Sequence, residues 1–100
     1  TEQDAASNET DGGVFMNSSY EFSLRQEILL EKGADILGSI SRFGRRNNIP
    51  LSDRTNPVNV MYALVWHAKH DILDARTESE LDQIDTQFDL ARRFSAGIGA

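Results

Sequence analysis

From Val58 onward the apolar residues step by three and four without a break: Val58, Met61, Val65, Ala68, Ile72, Ala75. That spacing is one stripe of a helix, and a strand cannot bury it because strand side chains change face every residue. The same steps recur at Leu81, Ile84, Phe88, Ala91, Ser95 and Ile98. Earlier in the chain Phe22, Leu29, Ile36 and Phe43 lie seven apart, with Ile40 on the same side and Leu30 and Leu37 widening the stripe. Three seams of this kind demand helices that bury them against one another. The fold class is therefore all-α.

Punctuation divides the chain where the seams stop. Ser19 reads as the N-cap of a long helix 1, over about residues 18–46, with Glu21 and Arg25 paired four apart on its surface. Gly33, Gly38 and Gly44 each weaken that helix by roughly 1 kcal/mol relative to Ala. Either they kink it, or Ala34 and Gly38 let another helix come close. The stretch NNIPLSDRTNP breaks the pattern, and Asn56-Pro57 reads as an N-cap followed by proline at the first helical position. Helix 2 follows over about 57–75. Tyr62, Leu64, Trp66 and Leu73 flank its seam on both sides, so it calls for neighbours on two sides.

Thr77-Glu78-Ser79-Glu80 has the form of a capping box and opens helix 3, over about 78–96. The link between helices 2 and 3 is so short that they must run antiparallel as a hairpin. The terminal GIGA is expected to fray. The architecture expected is one long helix packed on a helical hairpin, either as a three-helix bundle or as an intertwined helical oligomer. Residues 1–17 are set apart as an acidic, flexible arm, and residues 18–100 as a single helical domain.

Charge narrows the function. The net charge is −6, and Glu2, Asp4, Glu9 and Asp11 put −4 of it in the arm with no base beside them. Phosphate-backbone binding needs clustered Lys and Arg, so nucleic acid is not an expected partner. The one basic cluster is Arg42, Arg45 and Arg46, joined by Arg54 across the loop. A helix C-terminus favours such charges by itself, but the cluster can also receive an anion or an acidic segment. There are no cysteines, which excludes disulfides and thiolate chemistry. No run is apolar enough to cross a bilayer and no secretory leader is visible, so a cytoplasmic place, or one inside an assembly, is expected.

The segment WHAKHDILD brings His67, His70, Asp71 and Asp74 onto one helical face. With Val65 at zero on a wheel of ~100° per residue, they fall at roughly 200°, 140°, 240° and 180°. That face is opposite the seam and meets water. The four are weak metal candidates, because ligands in helical metal centres point inward and come from several helices. The catalytic signatures G-x-S-x-G, H-E-x-x-H and a Cys–His pair are all missing, and no carboxylate interrupts a seam.

Catalytic residues and cofactors are accordingly set at none. The main expectation is a non-enzymatic structural or adaptor subunit that holds other proteins, by self-association or within a larger assembly such as a viral particle. The contacts expected are Phe15, Met16, Arg42, Arg45, Arg46, Tyr62 and Trp66, with intrachain core the competing place for Tyr62 and Trp66. One alternative is a small acidic regulator bound to a single partner's basic surface. A second is a small helical enzyme or metal protein using the His67/His70 face.

Overall fold

The computed structural model describes the backbone of residues 13–100 and the side chains of residues 19–100. Three helices follow in order, α1 (Gly13–Arg46), α2 (Pro57–Asp74) and α3 (Glu78–Gly97), and each packs on the other two. One chain therefore closes its own three-helix bundle. The shared core is made of Leu29, Ile36 and Ile40 from α1, Val58, Val65, Ala68 and Ile72 from α2, then Ala75 and Leu81, Ile84, Phe88 and Ala91 from α3. These are the positions that the three- and four-residue steps select. Ser95 completes the α3 seam as a buried polar residue.

The helix ends follow from local chemistry. Asn56 accepts a hydrogen bond from the Val58 N–H at 2.9 Å, and Pro57 stands at the first turn, where its missing N–H costs nothing. Thr77 closes a complete capping box: its hydroxyl accepts from the Glu80 N–H, and the Glu80 carboxylate accepts from the Thr77 N–H. Such caps contribute about 1 kcal/mol each.

Several expectations are corrected. α1 begins at Gly13 and not near residue 18, so Ser19 lies inside the helix and does not cap it. No proline or glycine stands between Asn17 and Tyr20, and propagation adds one hydrogen bond per residue once a helix exists. Residues 1–12 of the expected arm lie outside the described residues. The glycines do not interrupt α1, because burial of the Leu29–Ile40 face outweighs their roughly 1 kcal/mol cost apiece.

Close helix approach does occur, but at Gly33 and not at the Ala34/Gly38 pair. A Cβ at Gly33 would lie 2.9 Å from the Phe88 ring and 3.4 Å from Lys69 Cδ, whereas Gly38 meets only its own helix's Arg42, and Ala34 is exposed. Nor does GIGA fray. Gly99 adopts φ +80°, and the N–H groups of Gly99 and Ala100 donate to the Ala96 and Ser95 carbonyls, forming a Schellman cap. α1 ends in the same way: Asn48 sits at φ 55°, with Asn48 N–H on Arg45 O and Ile49 N–H on Gly44 O.

Arg25 does not pair with Glu21 along its own helix. It reaches across to α3, where it meets Glu78 at 2.5 Å and Asp82 at 2.6 Å. One heptad later Lys32 bridges Asp85 and Asp89 at 2.5 and 2.7 Å. Burial pulls the Lys32 ammonium down, but its bonds to the two aspartates outweigh that and hold it above its ordinary 10.5. Its side-chain bond to Lys32 holds Asp89 below 3.8, and the Arg76 and Thr77 N–H groups hold Glu80 below 4.5.

The carboxylates thus release their protons more readily in the folded chain. Their contribution is complete above the ordinary carboxylate range and lost as pH falls through the depressed folded values. Lys32 has the opposite sign: its contribution is complete below 10.5 and lost as pH rises through the raised folded value. Urea midpoints are therefore expected to be flat from about pH 6 to 9 and lower near pH 3. Glu80→Gln should reduce the acid decline, and an undiminished decline in that variant would remove Glu80 as a contributor.

Candidate partner-binding surfaces

Two surfaces carry more exposed apolar side chains than packing within the chain explains. The first is on the amino-terminal half of α1. Among the described residues its earliest member of the packed cluster is Phe22, and Gln26 donates to the Ile72 carbonyl at 2.9 Å near the end of α2. Tyr20, Leu24 and Ile28 follow one another at four-residue steps and are 70%, 43% and 56% exposed. Residues four apart stand on one stripe of a helix, so these three form a continuous apolar ridge beside Arg25.

The second surface lies at the opposite end, around the loop between α1 and α2. Two adjoining depressions share Leu51, Asn59 and Tyr62. The larger, about 570 Å³ and open, is lined also by Arg54, Val60, Ala63 and His67. The smaller, about 170 Å³, takes in Ile40, Gly44, Arg45, Ile49 and Val58. Leu51 is 89% exposed and Val60 half exposed.

The loop that presents them is tied down at several points. Asn59 donates through Nδ2 to the carbonyls of Pro50 and Asp53, both at 2.8 Å. Asp53 Oδ1 accepts from the Thr55 hydroxyl at 2.8 Å and from its N–H at 3.1 Å, which holds this carboxyl below its ordinary value. A loop so fixed offers a preorganised surface, and ordering it on binding costs little.

The sequence-predicted residues divide between these places. Tyr62 and Trp66 are not core: both are exposed on α2, Tyr62 lines both depressions, and Trp66 stands beside His67. Arg45 joins Tyr62 at the smaller depression, with its Nη1 on the Ser41 hydroxyl at 2.8 Å. Arg42 donates to Ser39 on its own helix, and Arg46 occupies the last turn of α1. Phe15 and Met16 fall within α1, but their side chains lie outside the described ones. Arg54, Leu51 and Val60 escape a periodicity argument for the α2 seam, because they belong to a loop and to the helix face opposite it.

The histidine cluster does not come together as a ligand set. The His70 ring lies 4.0 Å from Trp66 between centroids and the His67 ring meets Trp66 edge-on at 5.1 Å. Asp71 and Asp74 line the groove towards Glu80 and Gln87 on α3 instead. Among the described residues no group of three His, Asp or Glu side chains is placed to hold a metal ion, and no helix is long and apolar enough to cross a membrane.

No curated protein and no solved structure matches this chain. A sequence family does: the pattern of the bacterial epsilon antitoxins matches residues 18–98, which span all three seams, the capping box and both surfaces apart from the first turns of α1. On that match, which takes in most of the chain, the protein belongs to the bacterial epsilon antitoxin family.

Proposed function

We propose that this chain is a non-enzymatic regulator that binds a protein toxin, and that the amino-terminal ridge of α1 is its principal contact. The family supports the regulatory alternative over a structural subunit of a larger assembly. The single observation that carries the choice of site is the Tyr20–Leu24–Ile28 stripe. It places three large apolar side chains in water on one face of α1. An apolar helical ridge of this kind is suited to a hydrophobic groove, with anchors recurring at four-residue steps. A cytoplasmic place, expected from the sequence, belongs to the same proposal.

The test pairs growth rescue with affinity. The chain co-produced with its cognate toxin should restore growth, and the purified pair should form a stable complex. Leu24→Ala with Ile28→Ala should weaken that complex about tenfold, the effect of losing roughly 1.4 kcal/mol. Its thermal melting should hardly move, since both side chains are exposed. Unchanged affinity in the double variant would overturn the site, and absence of any complex would overturn the function.

A further inference from the structure

The folded chain sorts its charges by end. Residues 20–35 and 66–89 carry eleven acids and four bases, a side-chain balance of −7. Residues 36–60 and 90–100 carry six arginines and the single acid Asp53, a balance of +5. Helix pairing gathers each set at its own end of the bundle. Arg25 meets Glu78 and Gln26 meets the Ile72 carbonyl at the acidic end, whereas Ile40 and Val58 share a depression at the basic one. The Tyr20–Leu24–Ile28 ridge stands in the acidic half. We propose that this setting selects a toxin groove with Lys or Arg on its lips and draws it into register before apolar contact. The inference rests on the ridge being the toxin contact.

The acids stand on the ridge's own face. With Leu24 at zero on a wheel of ~100° per residue, Glu27, Glu31 and Asp35 fall at roughly −60°, −20° and +20°. Tyr20 and Ile28 fall at roughly −40° and +40°, so the two sets interleave and the acids carry the face further along α1. Glu27, Glu31 and Asp35 are exposed, and among the described residues no ion pair involves them. Arg25 and Lys32 border the ridge on the other side, but each is taken by two acids of α3. Two bases on four acids leave that flank negative as well. Glu78 and Asp82 still show 60% and 67% of their side-chain surface to water.

An apolar groove with acidic lips would therefore meet like charge on both flanks, while basic lips find partners on both. The order of events follows from range. Apolar attraction needs contact, but charges act over about 8–10 Å at ordinary ionic strength. The arginine end repels the same groove, so an approaching toxin is turned towards the ridge.

Stopped-flow association of the full chain with its purified cognate toxin tests this. The wild-type association rate should fall as salt rises from about 50 to 500 mM. At low salt Glu27→Lys with Glu31→Lys should slow association about tenfold and change dissociation by less than about threefold. Glu27→Gln with Glu31→Gln should give a smaller slowing in the same direction, and both deficits should shrink at high salt. Asp71→Lys with Asp74→Lys changes the net charge equally but lies in the groove on the α2 side of α3, so it should slow association far less. A salt-independent rate overturns the proposal, as does equal slowing by the two lysine variants, which would make total charge the only cause. Faster association of the Glu27/Glu31 variants overturns it too, since the toxin's lips would then be acidic. Leu24→Ala with Ile28→Ala should act mainly on dissociation, so failure of the ridge is read separately from failure of its charged flanks. If no complex forms at all, the toxin-binding function falls and this inference with it.

Discussion

Phe88→Ala is expected to cost about 3–5 kcal/mol, the range for removing a buried aromatic ring without collapse of the site. Phe88 is fully buried at the middle of α3, and its ring lies against Gly33 of α1. Because α1 lacks a side chain there, no neighbouring α1 side chain at that position can swing in to fill the space. Domains of this size have only about 5–15 kcal/mol of stability in total. At about 4–8 °C per kcal/mol, the melting temperature should fall by 12 °C or more. Leu90→Ala on the same helix is the control: Leu90 is half exposed, and its loss should change stability by less than about 0.5 kcal/mol. Circular dichroism melts of both variants decide the matter. Similar small losses would mean that the three helices do not share the core around Phe88.

The seams were readable because helical burial writes itself into the sequence at a fixed period. Val65, Ile72, Leu81 and Phe88 are all fully buried and all lie on three- and four-residue steps. The helix 2 and helix 3 caps were readable because Asn56-Pro57 and Thr77-x-x-Glu80 act within one turn. The misreadings arise where the outcome depends on partners far away in sequence. Arg25 had Glu21 within one turn, yet two acids on α3 outcompete it, 53 and 57 residues away. Asn48 and Gly99 build caps through a positive φ, and a short run of Asn or Gly says equally well that a helix frays there.

The binding surfaces were legible only in part. The basic cluster of Arg42, Arg45 and Arg46 with Arg54 across the loop is visible in the sequence, and Tyr62 flanks the helix 2 seam, but only the loop bonds of Asn59 show how Leu51 is held beside them. The α1 ridge went unnamed. Tyr20, Leu24 and Ile28 lie off the seam of Phe22, Leu29 and Ile36, on a stripe of α1 that neither α2 nor α3 covers, and periodicity alone does not say whether a second stripe is covered.

Gly33 and Gly44 stand on the same helix and should respond to alanine with opposite signs. Intrinsic propensity predicts that either change stabilises α1 by up to about 1 kcal/mol. At Gly44 a Cβ would meet nothing within 4 Å, so Gly44→Ala should realise that gain. At Gly33 the new methyl would approach the Phe88 ring to 2.9 Å, closer than van der Waals contact allows. The ring cannot swing away, because it is fully buried in the core it shares with Leu81 and Ile84. Overpacking of this kind costs about 1–3 kcal/mol, which more than offsets the helical gain. Urea unfolding of the two variants should therefore move the midpoint in opposite directions, with a gap of roughly 1–3 kcal/mol between them. If Gly33→Ala stabilised the chain as much as Gly44→Ala, α1 would not pass this close to Phe88. The close approach is then the feature to abandon, and with it the account of why a helix 34 residues long keeps a glycine at its centre.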